Sequence, residues 1–529
     1  SQSLSESPRG RSPSRYSLPL PFPLPKTMST RTENDSMGPI EVKADALWSA
    51  QTQRAMHFFG DGLAGEGERM PIKLVHAIAR IKQAAAAANS SLGRLDDQRA
   101  ERIKAAAAQV VAGEHDDQFP LPIWISGSGT QSNMNVNEVI ASIAKQEVGS
   151  VKRKRDDEVV VAVHPNDHVN ASQSTNDVFP SAIHVATALE IHNSVLPELD
   201  GMVKLVQSKA EEWANIVKCG RTHMMDAVPM TLGQEVSGWA HSLQAARDAL
   251  AAALDELYSL PLGGTAVGTG INTPAGYDQC VCSELAALSG LPFRVAENKF
   301  SRMGGHEALL QAMSALKRLA VVLLRVADDV RLLGSGPRTG LGELSLPANE
   351  PGSSIMPGKV NPTQCEALSM RAIQVIGLEA AVTVACGSGF LQMNVYKPLI
   401  GANLLSATEL LAQGMRRFCA YCLIGAVPNH DAISMHVSKV QLSMISCSVA
   451  TSRGLGLGIG QRPAPGRDGG LMYKDGLPPP PVLPPSSSPP PPPPAPSFPL
   501  FLCYFLARTA HVFISHQSSH PRSHTVRRV

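Results

Sequence analysis

One short stretch of the chain contains a dense group of side chains that are able to do chemistry. Residues 352–362 read Gly-Ser-Ser-Ile-Met-Pro-Gly-Lys-Val-Asn-Pro, and Thr-Gln-Cys-Glu follows directly. The glycines and prolines exclude a helix or a regular strand, so the stretch is predicted to be a loop with fixed turns. Its hydroxyls, ammonium, amide and accessible backbone N–H groups suit a small anion such as a carboxylate. The alternative is an ordinary surface turn, which is what an isolated Gly/Ser/Pro loop usually is.

Four further polar clusters precede this loop. They are rich in short hydroxyl and amide side chains, and they occupy residues 127–135 (Gly-Ser-Gly-Thr-Gln-Ser-Asn-Met-Asn), 164–167 (His-Pro-Asn-Asp), 172–177 (Ser-Gln-Ser-Thr-Asn-Asp) and 220–223 (Gly-Arg-Thr-His). Such side chains donate hydrogen bonds to an anion without adding large charges that would trap a product. Taken one at a time, these clusters are more often helix caps, and a lone histidine is more often a core residue.

The five motifs occur in the order typical of the fumarase/aspartase superfamily, and the wording of residues 352–366 resembles class II fumarase in particular. The resemblance covers roughly residues 37 to 439. It implies a mainly α fold, a long antiparallel helix bundle of the fumarase/aspartase type with a smaller N-terminal domain. It also implies a homotetramer with each active site built from three chains, and reversible hydration of fumarate to L-malate as in the tricarboxylic acid cycle. No metal and no cofactor are expected.

The resemblance assigns a role to each candidate residue. Ser353 is expected to take the proton from carbon, Lys359 and Asn361 to stabilise the resulting carboxylate-carbanion, and His223 to supply a proton to the leaving hydroxide. Glu366 from another subunit is expected to orient His223. The predicted substrate-binding residues are Ser128, Gly129, Thr130, Ser174, Thr175, Asn176, Thr222 and Ser354. A second, peripheral dicarboxylate site is expected at His164, Asn166 and Asp167.

The residue types at a few positions distinguish fumarase from the related lyases. Thr175 is the residue that aspartases use, but His223 and Gly358 stand where aspartases usually carry Gln and Ala, so aspartate ammonia-lyase is the second choice. Argininosuccinate and adenylosuccinate lyases fit the wording poorly. The remaining alternative is a catalytically silent product that keeps the motifs but fails to assemble, because its C-terminal part is aberrant.

Composition limits the partners. The 529 residues are 43% hydrophobic with a net charge of +2, so a sizeable core is expected and neither nucleic acid nor a membrane is indicated. The basic run at residues 152–155 is followed by acids and is typical of a solvated insertion. The nine cysteines lack metal-site spacing and favour buried thiols in a reducing compartment, mitochondrial or cytoplasmic.

Changes in composition divide the chain. The N-terminal extension is Ser/Pro/Arg-rich, and a transit peptide and translated upstream sequence are both open explanations. The tail changes abruptly to Gly-, Pro- and Ser-rich sequence, which favours a retained intron or frame change over a new domain, so the C-terminal domain is predicted to be largely missing or replaced. The predicted segments are a disordered extension at 1–36, an N-terminal domain at 37–172, the central bundle at 173–430, the start of a C-terminal domain at 431–439 and a disordered tail at 440–529.

Apolar periodicity predicts long helices for most of the region between these ends. They are expected at residues 72–88, 97–112, 135–148, 178–217, 231–258, 305–333 and 362–386, with an insertion at 149–163. Residues 368–385 are apolar nearly all round, which predicts a helix buried by other helices or by other subunits.

Overall fold

The computed structural model describes residues 29–60, 68–151, 162–352, 355–356 and 358–440. A polar β-hairpin opens this part, with β1 (Thr30–Asp35) antiparallel to β2 (Gly38–Lys43). The predicted end of the disordered extension at residue 36 is therefore too late. Only strand β1 escapes prediction, because its sequence is polar; the Arg31 guanidinium holds it by donating to the carbonyls of Lys43 and Trp48 at 2.7 Å, while Val42 of β2 is fully buried in the core.

The next segment is built from four helices, α1 (Ala50–Phe59), α2 (Ile72–Ser91), α3 (Asp97–Val111) and α4 (Thr130–Val151). The predictions for α2 and α3 are confirmed to within a turn, and the Asp96 side chain caps α3 by accepting from the Arg99 N–H. The start predicted for α4, residue 135, is late because the polar motif at 130–134 forms its first turn. Helix α4 also runs to Val151, into the predicted insertion at 149–163; residues 152–161 of that insertion lie outside the described residues.

Helices account for most of the remaining described chain. They are α5 (Thr175–Glu190), α6 (Leu196–Glu212), α7 (Leu232–Leu257), α8 (Tyr277–Ser289), α9 (Lys299–Gly304), α10 (Glu307–Leu333), α11 (Thr363–Cys386), α12 (Lys397–Phe418) and α13 (His430–Lys439). Long helices α5, α6, α7, α10, α11 and α12 pack on one another as the predicted antiparallel bundle, and α2 joins it through α5.

The helix predicted at 178–217 is one uninterrupted helical run, but it begins at Thr175 and ends at Glu212, five residues before the predicted limit. A π-helical turn at Ile191–Val195 joins α5 to α6, next to Pro197, which lacks the N–H that a regular α-helix would use there. Helix α6 ends at Glu212, and residues 217–231 form a hairpin instead, β3 (Val217–Thr222) and β4 (Met225–Thr231).

Short two-residue strands pin loops at both ends of the bundle. Strand β5 (Ser259–Leu260) pairs parallel with β6 (Arg294–Val295), and β7 (Leu344–Ser345) pairs antiparallel with β8 (Val427–Pro428). All described residues belong to one contact unit, so the divisions at residues 172 and 430 remain predictions. The tail at 441–529 lies outside the described residues.

Helix α11 exposes apolar side chains on the surface of the single chain. Met370, Ile373 and Val384 are 66%, 58% and 70% exposed in the single chain, although other residues of α11 pack into the bundle. Within the described ranges, α11 is the one helix long and apolar enough to cross a membrane, a criterion that the core helix of a soluble protein also meets.

Candidate active site

The predicted acid His223 lies at the tip of the β3–β4 hairpin. Thr222 pairs with Met225, so the loop consists of His223 and Met224, whose φ angles are 55° and 63°. Positive φ at both loop residues is typical of a type I′ turn, which favours glycine, asparagine or aspartate, so two longer side chains are strained there. Strain of this kind persists where the surrounding structure imposes it, and it is concentrated at functional sites. His223 is exposed in the single chain.

A buried ion cluster holds the base of this hairpin. The fully buried Glu343 carboxylate lies 2.8 Å from both Lys218 Nζ and Arg221 Nη2, and 3.0 Å from His436 Nδ1. Lys218 also pairs with Glu235 of α7 at 2.6 Å. Burial alone would raise the pKa of Glu343, but hydrogen bonds from Arg221 and Lys218 hold it below the usual value. The cluster thus joins the hairpin to α7 and α13 and determines where its tip lies.

The predicted carboxylate-binding residues Ser128, Gly129 and Thr130 form the turn that begins α4. The Ser128 and Thr130 hydroxyl oxygens lie 2.9 Å apart. Gly129 has φ 82°, and a Cβ added to it would lie 2.3 Å from the Phe179 ring, so only glycine fits this position. The first N–H groups of an α-helix have no partner within the helix, so this turn presents backbone donors as well as hydroxyls.

Ser174, Thr175 and Asn176 lie at the start of α5. Ser174 is the N-cap: its hydroxyl accepts from the Asn176 N–H at 3.2 Å, and the Asp177 carboxylate accepts from the Ser174 N–H at 3.0 Å. The helix-cap interpretation is therefore correct for Ser174, whose hydroxyl proton is still available to a ligand. Burial raises the pKa of Asp177 to about 6, although three backbone N–H groups, including that of Thr265, donate to it.

Asn133 connects these two helix starts. Its amide nitrogen lies 3.1 Å from Thr175 Oγ1 and 3.2 Å from Asn170 Oδ1. The N-termini of α4 and α5 therefore lie side by side, each with the partial positive charge of a helix dipole. Together they present a surface of uncharged hydrogen-bond donors, a chemistry that suits an anion.

The loop at residues 352–362 is described only in part. Ser353 and Ser354 lie outside the described residues, so their assigned roles remain predictions. Lys359 is exposed, and the Asn361 amide donates to the Gly352 carbonyl at 2.8 Å, which folds the loop back on itself. Glu366 is exposed in the first turn of α11.

The peripheral dicarboxylate residues lie on an exposed turn. His164 Nδ1 is 3.2 Å from the Asp167 backbone nitrogen, and both side chains are more than half exposed. Asn166 lies between two open clefts of about 380 and 390 Å³, the second of which extends to Ser174 and Thr265. This geometry leaves the assigned role a prediction.

The structure brings some predicted residues together and keeps others apart. The turns at Ser128–Thr130 and Ser174–Asn176 meet through Asn133. Within the part of the chain that the structure describes, no hydrogen bond or ion pair joins these turns to His223. The same is true between the turns and Lys359, Asn361 and Glu366, and between His223 and those three residues. Across the same residues, no group of three or more His, Cys, Asp or Glu side chains is arranged as a metal site.

Four residues that shape these groups were not predicted, namely Lys82, Asn133, Asp177 and Glu343. Asn133 and Asp177 stand inside the recognised motifs, so their position was a usable signal. Lys82 had no signal, since a lysine in an Ala-rich amphipathic helix normally lies on the solvated face.

Comparisons with known proteins agree with this geometry. The model of the lyase family matches residues 38–377. The class II fumarate hydratase of Thermosynechococcus vestitus is 52% identical over 413 residues, which cover 78% of this chain and 86% of that protein. The class II fumarate hydratase of Pseudomonas putida is 52% identical over 410 residues, again 78% of this chain and 86% of the relative.

Solved structures show the same fold. The class II fumarase of Schistosoma mansoni superposes with a TM-score of 0.74 at 43% identity, covering 78% of this chain and 88% of that one. A fumarate lyase:delta crystallin protein of Brucella melitensis superposes with a TM-score of 0.71 at 36% identity, covering 81% of this chain and 95% of that one. The match to the lyase family spans the β3–β4 hairpin, both helix starts and the 352–366 loop. The chain belongs to the class II fumarate hydratase family, the fumarate hydro-lyases.

Proposed function

We propose that this chain hydrates fumarate reversibly to L-malate. The observation that carries the proposal is the contact between the N-termini of α4 and α5 at Asn133 and Thr175, which gathers hydroxyl, amide and backbone donors on one surface. Neutral donors can hold a dicarboxylate in both directions of a reversible reaction, because they bind the anion without trapping it.

In the malate-to-fumarate direction, Ser353 removes a proton from the carbon next to one carboxylate. Lys359 and Asn361 stabilise the negative charge that builds on that carboxylate, which is electrostatic preorganisation. His223 then gives a proton to the hydroxyl that leaves from the neighbouring carbon, so water departs and the double bond forms. Glu366 orients His223, while Ser128, Thr130, Ser174–Asn176, Thr222 and Ser354 hold the carboxylates.

We propose further that the site is completed by other copies of the chain in a homotetramer. Two features support this: among the described residues of one chain, no hydrogen bond or ion pair joins His223 to the helix starts or to Lys359, Asn361 and Glu366, and apolar side chains are exposed beside His223. Met224, Met225 and Val228 of the hairpin are 63%, 69% and 67% exposed, as are the outward residues of α11. Burial of these faces between subunits would bring the hairpin of one chain to the helix starts of another.

The reported relatives are mostly bacterial, and for this chain we propose a cytoplasmic or mitochondrial location, with no nucleic-acid or membrane partner. Immunodetection in cell fractions would distinguish the two compartments.

Ultraviolet absorbance of fumarate tests the reaction. The purified full chain should produce fumarate from L-malate, and Ser353→Ala should lower turnover by roughly 10²–10⁴-fold. Ser289→Ala is a matched control, because the Ser289 hydroxyl contacts only nearby backbone groups: the Leu285 and Ala286 carbonyls of its own helix and the Leu291 N–H. Fumarate formed from L-aspartate but not from L-malate would overturn the proposal in favour of ammonia-lyase activity.

A further inference from the structure

Lys82 is a fully buried cation with an unusual set of partners. It lies in α2 with 0% of its surface exposed, and its Nζ donates to Asn170 Oδ1 at 2.8 Å and to Gln173 Oε1 at 3.0 Å. Burying an ammonium is unfavourable unless it is paired, and both contacts are to neutral amides. Burial lowers the pKa of Lys82 to about 7, although the nearby Asp177 opposes the shift.

The two acceptors lie in the segment that leads into the predicted substrate turn. Gln173 directly precedes Ser174, and Asn170 closes the peripheral turn by donating its N–H to the Pro165 carbonyl at 3.1 Å. Gln173 also donates its side-chain amide to the Val169 carbonyl at 3.1 Å. Lys82 of α2 therefore fixes the side chains on both sides of residues 171–172.

An ammonium is a donor only, and this dictates which way each amide points. Asn170 must present its oxygen to Lys82, so the Asn133 side chain that meets the same oxygen must present its NH₂ group. That NH₂ group also donates to Thr175 Oγ1 at 3.1 Å. Asn133 Oδ1 is then left without a hydrogen-bond partner among the described residues. The Asn133 amide therefore keeps its NH₂ group toward Asn170 and Thr175 even though its own oxygen stays unpaired.

The consequence falls on the Thr175 hydroxyl. Since Thr175 Oγ1 accepts from Asn133, its own proton is free to be donated elsewhere. We propose that Lys82 is a positioning residue: it sets the direction of the hydrogen-bond chain through Asn170 and Asn133, so that Thr175 donates its proton to a substrate carboxylate. This inference rests on the proposed function, because it takes Thr175 as a substrate ligand.

A double-mutant cycle tests the proposal. Lys82→Met keeps a side chain of similar length but removes the donor, and Thr175→Val removes the hydroxyl at the end of the chain. Each should raise KM for L-malate about ten- to a hundredfold with little change in kcat, since a charge-assisted hydrogen bond is lost from ground state and transition state alike. If Lys82 acts through Thr175, the double variant should be no weaker than Thr175→Val alone. Multiplied effects would overturn the proposal.

Lys209 offers a matched control, because it is also buried but donates to the Ala426 carbonyl, away from both helix starts. Lys209→Met should leave KM within twofold; an equal rise in KM would show that loss of any buried lysine has the effect, and would contradict a specific role. If Lys82→Met does not fold, Lys82→Gln, whose NH₂ can replace one of the two donated bonds, should give a smaller rise in KM. A rise for Lys82→Gln as large as that for Thr175→Val would contradict the role of the donor.

Binding of succinate, a non-reacting four-carbon dicarboxylate, separates this proposal from the proposed reaction. Calorimetry needs no turnover, so it works even if L-malate is not a substrate. Weaker succinate binding by Lys82→Met than by the native chain and by Lys209→Met supports the positioning role; equal binding by all three overturns it. A native chain that binds succinate but does not dehydrate L-malate would instead refute the reaction.

Discussion

Substitution of His223 can separate the chemistry of the hairpin tip from its geometry. His223 occupies a left-handed position with φ 55°, and its side chain is exposed, so few packing contacts are lost when it is replaced. A left-handed backbone costs about 1–2 kcal/mol for an ordinary L-residue, whereas asparagine tolerates it through local hydrogen bonding. His223→Asn and His223→Val both remove the acid, but only valine, which is β-branched, conflicts with the turn.

We therefore expect both variants to lose roughly 10²–10⁴-fold in turnover and to differ in their free energy of unfolding by about 1–2 kcal/mol, with His223→Val the less stable. Turnover is followed by fumarate absorbance and unfolding by urea denaturation monitored with circular dichroism. Equal stability of the two variants would refute the left-handed turn. Native turnover in His223→Asn would refute the assignment of the acid.

Two further substitutions follow from the site. Gly129→Ala should raise KM by tenfold or more in the malate assay, because a Cβ there would meet the Phe179 ring at 2.3 Å at a positive φ; an unchanged KM would contradict the close approach. Glu343→Gln should destabilise the fold by about 1–3 kcal/mol, because Arg221 and Lys218 both lose the buried carboxylate charge, although Lys218 keeps its pair with Glu235; a change below about 1 kcal/mol would contradict the cluster. The pKa of Glu343 in the folded state lies below its ordinary value of 4.5. The stability that ionised Glu343 contributes is therefore present above pH 4.5 and is lost as the pH falls through the folded-state pKa. The urea concentration at the unfolding midpoint should therefore decrease as the pH is lowered through this acidic range for the native chain. It should decrease less for Glu343→Gln.

The parts of the fold that could be predicted are those where one local pattern decides the structure. Helices α2, α3, α7, α10 and α11 begin or end within a turn of their predicted limits, because strong helix formers and apolar periodicity agree in those segments. The hairpin that presents His223 was not foreseen, since a turn made of histidine and methionine carries none of the glycine or asparagine signal of a type I′ turn. It is imposed by the buried ion cluster at its base, a tertiary effect.

The candidate site divides in the same way. The hydroxyl and amide clusters could be recognised because their motifs occur in the order typical of the fumarase/aspartase superfamily, and the structure places two of them in contact. The supporting residue Lys82 could not be recognised, because its burial depends on how α2 packs beneath the turn that precedes α5. Helix α11 was predicted to be buried all round by other helices or by other subunits, and in the single chain part of its apolar surface stays exposed.

The most direct test of a site shared between subunits is complementation between two inactive variants. His223→Asn and Ser353→Ala are each expected to lose nearly all activity alone; equal amounts are unfolded together, reassembled and assayed for fumarate formation from L-malate. If the hairpin and the 352–362 loop of one site come from different chains, random mixing should restore about a quarter of native activity, since each group is intact in half of the subunits. Activity no greater than that of the separately reassembled variants would place both residues on the same chain and contradict the shared site.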